Sequence, residues 1–267
     1  MTEQPESDTP LVSARNLVKC YGALTAVQNV SFDIGAGQVL GVIGPNGSGK
    51  STIVKMVTGL LDPTQGNVFF KGRNIREELL DYRQSLAYVP EQSDLYGFLT
   101  GWEYVEMVAA LRGLDRAIFR ERAGALFDAF RLSDARGQLI GSYSKGMRQR
   151  IVLICALIHN PLFLVLDEPF SGLDVTSGLI LRRLIELLAR SGKGILFSSP
   201  VLEQMESVCT HLLLLRAGQV VAEGSMQAMR TRFAGLNLEA GFWQLADPAN
   251  TESIANTILE AMGARLA

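Results

Sequence analysis

Nine residues, Gly44-Pro45-Asn46-Gly47-Ser48-Gly49-Lys50-Ser51-Thr52, have the composition and spacing of a phosphate cradle. Gly44, Gly47 and Gly49 lack a Cβ, so the backbone can fold round an anion with its N–H groups inward. A helix starting near Lys50 would aim its positive dipole end at the same anion. Lys50 would reach the β- and γ-phosphates, and the Ser51 hydroxyl would ligate Mg²⁺. A second chemical pair, Asp167-Glu168, closes the apolar run Leu162 to Leu166 and is followed by Pro169. Asp167 would hold Mg²⁺, directly or through water. Glu168 would polarise the water that attacks the γ-phosphate. The two stretches together predict nucleoside triphosphate binding and hydrolysis.

These groups need elements to position them. Val39 to Ile43 reads as a buried strand entering the cradle, and Ile53 to Val57 has helical spacing leaving it. Leu162 to Leu166 and Gly194 to Phe197 are near-continuous apolar runs, which suit a parallel sheet covered on both faces. At the C-terminal edge of such a sheet, Asp167 would lie beside the phosphate loop. Residues 11 to 34 alternate as strands, and Gly35-Ala36-Gly37 reads as a hairpin-like turn. Gly66 to Lys71 and Leu86 to Val89 are further short strands, the second ended by Pro90. From about Leu99 to Asn160 the pattern turns helical, with an apolar stripe over Trp102, Val105, Val108, Leu111, Ile118, Phe127 and Phe130. The predicted fold class is α/β: a P-loop NTPase core with a mixed or parallel sheet, an antiparallel β subdomain and a helical insert. The predicted division is a disordered lead-in at 1–10, a nucleotide-binding domain at 11–231 with its helical subdomain at about 93–159, and a tail at 232–267. The tail ends in a short amphipathic helix, Ile254 to Ala261.

Bulk properties exclude several classes. The formal net charge of −2 provides no uniform basic surface, so no nucleic-acid partner is expected. The three cysteines, Cys20, Cys155 and Cys209, have no metal spacing and read as buried free thiols. The opening MTEQPESDTP has neither a basic start nor an apolar stretch, so it is not read as a signal peptide. No apolar run approaches the roughly eighteen residues needed to span a bilayer.

Further residues, in order and spacing, carry a resemblance. Gln92 follows the strand ending at Pro90. Ser144-Lys145-Gly146-Met147-Arg148-Gln149-Arg150 and Ser171-Gly172-Leu173-Asp174 flank the acidic strand. With the phosphate loop and the Asp-Glu-Pro strand, they closely resemble the nucleotide-binding subunit of an ABC transporter over about Leu11 to Gly224. The resemblance implies ATP and Mg²⁺ as ligands. Tyr21 matches the aromatic that stacks on adenine, with a packing tyrosine as the alternative. Gln92 matches the residue that touches Mg²⁺ and the attacking water and links the helical insert to the core. Ser144 and Gly146 match the signature loop, which binds the γ-phosphate held by a second subunit. Asp174 matches the residue that crosses the dimer interface, and Glu168 the catalytic glutamate. The implied partners are a second copy or a homologous ATP-binding subunit, head to tail, and integral membrane subunits on the inner face of the cell membrane. Tyr96 and Phe98 stand where the family receives the membrane subunit, with ordinary loop packing as the alternative. The Tyr143-to-Arg150 variant resembles bacterial exporters with separate membrane chains.

Two departures from the family pattern matter. Lys145 and Met147 replace the usual glycine and glutamine; Lys145 sits near phosphate or is simply solvated. After Ser198-Ser199, the family's γ-phosphate histidine is replaced by Pro200, which has no side-chain donor and no N–H. Pro200 is expected in the first turn of a helix from Val201 to Val208. Neither His159 nor His211 is placed to substitute, and both read as structural. Two functions therefore stay open: a transport ATPase slowed at Pro200, and an ATP-binding but weakly hydrolysing subunit paired with a competent one. A soluble translation or repair ATPase is the third reading, disfavoured because the chain has one nucleotide unit and no long coiled coil.

Overall fold

The computed structural model describes residues 9–92, 94–232 and 251–262. Most of the expected lead-in and much of the expected tail lie outside those residues. The chain opens with a hairpin, β1 (Val12–Tyr21) and β2 (Leu24–Ile34), paired antiparallel. With β4 (Gln65–Phe70) and β5 (Arg73–Asn74) they form a four-stranded antiparallel sheet ordered β2-β1-β4-β5. The second sheet contains β3 (Val39–Ile43), β6 (Leu86–Val89), β7 (Phe163–Asp167), β8 (Gly194–Ser198), β9 (His211–Arg216) and β10 (Gln219–Ser225). Its order is β10-β9-β3-β8-β7-β6, parallel throughout except for β10.

The apolar runs are explained by two cores. All five residues of each of β3, β7 and β8 are buried. One face of the parallel sheet packs with α1 (Lys50–Val57) and the antiparallel sheet, through Leu40, Val42, Ile53, Met56 and Val12. The other packs beneath α5 (Lys145–Leu157), α6 (Val175–Arg190), α7 (Leu202–Val208) and α8 (Met226–Arg232). The turn at Gly35–Gly37 therefore does not make a hairpin. It carries the chain from one sheet to the other, held by Gln38 N–H to the Gly35 carbonyl at 3.2 Å.

The helical insert comprises α3 (Gly101–Leu111) and α4 (Arg116–Ala129) packed on one face of α5. The opposite face of α5 belongs to the core above the sheet, so this helix welds the insert to the nucleotide-binding core. The buried stripe of α4 is Phe119, Ala123 and Phe127, one position out of phase with the expected Ile118; Trp102 packs against both phenylalanines. Ile118 and Leu111 are exposed. Short α2 (Leu79–Ser85) precedes β6, and α9 (Thr251–Ala261) covers the amphipathic stretch expected in the tail. No helix among the described residues is long and apolar enough to cross a membrane.

The insert starts at a capping box. Thr100 Oγ1 accepts from Glu103 N–H at 3.2 Å, and the Glu103 carboxylate accepts from Thr100 N–H at 2.8 Å. Thr100→Ala removes one cap acceptor from an exposed helix end. It is expected to cost about 1 kcal/mol, read as a lower urea midpoint at unchanged m-value.

Candidate nucleotide site

Parallel strands bring four loops to one sheet edge. They follow β3 (the glycine loop), β8 (Ser199-Pro200), β7 (Glu168-Pro169) and β6 (Pro90 to Gln92). β8 lies between β3 and β7, so Asp167 approaches the phosphate loop across one intervening strand, close enough for its charge to act on Lys50. Pro200 thus stands at the end of the strand that separates the loop from the acids. It precedes Val201, the N-cap of α7, and so lies outside the first helical turn.

The glycine loop ends at Gly49, the N-cap of α1, with a left-handed φ of 104°. A Cβ on Gly49 would lie 2.7 Å from the Ala26 carbonyl, and one on Gly44 would lie 2.3 Å from that of Leu215. The backbone beneath the loop leaves no room for a Cβ at either glycine. No side chain caps α1, and its first turn has no acid, so the N–H groups there suit an anion. Ser48 N–H bonds the Pro45 carbonyl at 3.1 Å, while Gly218 N–H bonds the Ser48 carbonyl at 3.1 Å, pinning the loop from behind. The Ser48 hydroxyl is buried without a protein partner. Thr52 lies in the first turn of α1, and Ser51 beside it is exposed.

Lys50 is 7% exposed, and its ammonium donates to the carbonyls of Gly44 (2.7 Å) and Pro45 (3.1 Å). Burial lowers its pKa, opposed by the charges of Glu168, Asp167 and Glu91. Asp167, 5% exposed, has its carboxyl pushed up chiefly by burial, with Glu91 adding to the rise and Lys50 opposing it. Glu168 moves the same way, by burial first and then by the charges of Glu91 and Asp167. A carboxylate with a raised pKa is a better proton acceptor. Glu168 also takes a left-handed φ of 48°, which costs a non-glycine residue about 1 kcal/mol or more. Its N–H to the Ser198 carbonyl at 2.9 Å holds the turn in place.

The residues around Lys50 therefore fit a triphosphate: a loop of inward-capable N–H groups, a buried ammonium and an uncapped helix start. The hydroxyl of Ser51 and the carboxylate of Asp167 are hard oxygen donors of the kind Mg²⁺ takes. No group of three or more acids, histidines or cysteines among the described residues can hold a metal alone.

Other predicted residues lie elsewhere. Tyr21 is 49% exposed at the end of β1, with the Lys19 ammonium 5.4 Å from its ring, so it is not a core tyrosine. Ser144 is the N-cap of α5 and accepts from Met147 N–H at 3.2 Å. Gly146 packs close to the Gly172 carbonyl. Lys145 lies along Gly172, with its ammonium 3.4 Å from the Ser171 hydroxyl. Asp174 caps α6 by accepting from Ser177 N–H at 2.9 Å. Gln92 lines a groove of about 280 Å³ with Tyr104, Val108 and Arg112 of α3 and its end. The stacked rings of Tyr96 and Phe98 are exposed near that insert. His159 bonds the Leu86 carbonyl through Nε2 at 3.1 Å, and burial pushes its pKa down to about 4. His211 contacts Thr210.

The family model for "ABC transporter" matches residues 27–171, more than half of the chain. The chain belongs to the ABC transporter family. It is 34% identical over 205 residues to the ABC transporter ATP-binding protein NatA of Bacillus subtilis, covering 76% of this chain and 83% of that one. It is 32% identical to the daunorubicin/doxorubicin resistance ATP-binding protein DrrA of Streptomyces peucetius, covering 86% and 69%. A solved ATP-binding subunit of an ABC transporter superposes with a TM-score of 0.83 at 32% identity, covering 88% of this chain and 99% of that one. A dimeric ATP-binding cassette in a post-hydrolysis state with ADP and Pi superposes at 0.74 and 25% identity, covering 80% and 98%. The ABC ATPase fold predicted from the motifs is the fold observed.

Three residues of this ABC chain escaped the sequence reading. Arg150 donates to the Phe130 carbonyl at 3.2 Å and lies 3.8 Å from Asp174, tying α4 to the loop before α6. Gln149, buried on α5, donates to the Pro169 carbonyl at 3.3 Å, linking the signature helix to the acidic strand end. Glu91 is the third, and its charge reaches Asp167, Glu168 and Lys50. The first two stand within a quoted motif, but only packing reveals their bonds.

Proposed function

We propose that the chain is the ATP-binding and hydrolysing subunit of an ABC transporter of exporter type, working as a head-to-tail dimer docked on separate integral membrane subunits at the inner face of the membrane. The observation that carries this reading is the single sheet edge that gathers the uncapped α1 start, Lys50, Asp167 and Glu168. The relatives named above as ATP-binding and resistance proteins support it, as does the dimeric ADP-bound cassette. In this role Gly44 to Thr52 wrap the phosphates, Lys50 neutralises them and Tyr21 stacks on adenine. Ser51 and Asp167 would hold Mg²⁺, which when bound neutralises charge on the β- and γ-phosphates. Glu168 accepts a proton from water as the water oxygen bonds the γ-phosphorus and the bond to the β-phosphate oxygen breaks. The products are ADP and inorganic phosphate. Ser144 and Gly146, at the start of α5, face the γ-phosphate held by the partner, and Asp174 crosses the interface. The groove lined by Gln92 and the exposed Tyr96 and Phe98 receive the membrane subunit.

A second reading is favoured by one observation, Pro200 at the end of the central strand. In it the chain binds ATP but hydrolyses it weakly, beside a competent homologous subunit. The full-length chain carrying Glu168→Gln is expected to become a dimer on adding ATP and Mg²⁺, measured by light scattering, because ATP binds the closed pair preferentially. A chain that shows no affinity for a fluorescent ATP analogue overturns both readings. A chain that binds but stays monomeric favours the second, since its proper partner is then a different subunit.

A further inference from the structure

We propose that Gln149 is a positioning residue for Glu168: reaching across from α5, its amide holds the turn that carries the general base. This rests on the nucleotide-site reading above, in which Glu168 takes the proton. The spacing of four residues on α5 leads to it. Lys145, Gly146, Gln149 and Arg150 are spaced so that they share one face of a helix. That face lies along the loop from Glu168 to Asp174. The Lys145 stem covers Gly172, and its ammonium is 3.4 Å from the Ser171 hydroxyl. Gly146 is so close to the loop that a Cβ on it would lie 3.3 Å from the Gly172 carbonyl. Arg150 lies 3.8 Å from Asp174. Gln149 is 8% exposed and donates from Nε2 to the carbonyl of Pro169, the residue next to the base, at 3.3 Å.

The backbone of the turn accounts for why this bond matters. Glu168 has a left-handed φ of 48°, a conformation that persists only where its surroundings hold it. From the β8 side, Glu168 N–H donates to the Ser198 carbonyl at 2.9 Å. Within the turn, the Glu168 carbonyl accepts from Ser171 N–H at 3.0 Å. Pro169 has no N–H, so its carbonyl is the one backbone hydrogen-bonding group it offers, and Gln149 takes it. Phe170 packs edge-on against Phe197 of β8, with 5.7 Å between ring centroids. The turn is thus tied to the sheet through Glu168 and Phe170, and to α5 through Gln149. A general base works only within hydrogen-bond reach of the proton it takes, so a small shift of this turn lowers the rate. In this scheme Gln149 touches neither phosphate nor attacking water. It acts through Glu168.

The test is a double-mutant cycle on the full-length chain. Single-turnover hydrolysis of radiolabelled ATP, with protein and Mg²⁺ in excess, is measured for wild type, Gln149→Met, Glu168→Gln and the double variant. Methionine keeps the length and bulk of glutamine but has no donor. Gln149→Leu serves as a second side chain without a donor. Both Gln149 variants are expected to slow hydrolysis about fivefold, the scale of one lost buried hydrogen bond. Their affinity for a fluorescent ATP analogue is expected to stay within about twofold of wild type, the usual scatter between independent sites. In the Glu168→Gln background, Gln149→Met is expected to change the rate by less than about twofold, because no base is left to place. A glutamine that only supports the fold would slow both backgrounds alike, and that result overturns the inference. So does a wild-type rate in both Gln149 variants. Variants that unfold below the assay temperature overturn it as well, because the bond then holds the fold rather than the base. A wild-type chain that binds ATP but hydrolyses it no faster than Glu168→Gln has no base to place, which also overturns it. A wild-type chain that binds no nucleotide brings down the nucleotide-site reading too.

Discussion

Glu168→Gln is expected to lower the turnover of ATP by about 10³-fold, the scale of losing a positioned general base. The side chain keeps its length and shape, so the loss is chemical. Glutamine has no carboxylate to take the proton from the attacking water. The left-handed backbone at this residue is held by Glu168 N–H to the Ser198 carbonyl, a bond that does not depend on the side chain. Asp167, Lys50 and the glycine loop are untouched, so nucleotide affinity is expected within a few-fold of wild type. Phosphate release measured against ATP concentration should show a fall in kcat with little change in KM. A variant that retains a fifth or more of the wild-type kcat would exclude Glu168 from proton transfer. The raised carboxyl pKa of Glu168, caused first by burial and then by Glu91 and Asp167, suits the same role. A carboxylate surrounded by solvent and cations would be a weaker base.

Pro200→His is expected to act in the opposite direction, raising kcat by about 10²-fold. Strand order is the reason. The end of β8 lies between the glycine loop after β3 and the acids after β7, so a side chain at position 200 stands between phosphate and base. Proline offers no donor there, from side chain or backbone. An imidazole would add one where negative charge builds up on the transferring phosphoryl group. The local structure tolerates the change because Pro200 precedes the helix. Val201 is the N-cap of α7, and its N–H already bonds the Ser199 hydroxyl at 3.1 Å. Pro200→Ala separates loss of the ring from gain of a donor. Turnover of the histidine variant no faster than that of the alanine variant would exclude a missing donor at position 200 as a limit on hydrolysis. If the wild-type chain is a binding subunit in a mixed dimer, the gain should appear at its own site in that dimer.

Local pattern carried a large part of this protein. The glycine loop was legible because its backbone needs are met by residue types at fixed spacing between a strand and a helix, and α1 does begin at Lys50. The acids were legible because a short apolar run that stops at Asp167 suits a buried strand meeting the sheet edge, which is what β7 is. Ser144 and Asp174 cap α5 and α6 through side chains that bond within three residues of themselves, a local role beside the ones their motif positions suggested. Distance along the chain hid the rest. Whether Ile118 or Phe119 faces inward depends on where α4 sits against Trp102, a contact no helical period specifies. The strand order that puts β8 between β3 and β7 joins segments far apart in sequence, and with it the central place of Pro200. Only the packed structure places Gln92 in the groove with Tyr104, Val108 and Arg112. Sequence alone thus named the candidate groups and much of their local backbone, because bonding within a few residues sets local structure. Tertiary structure alone decided which groups meet, because that depends on contacts between strands and helices remote in the chain.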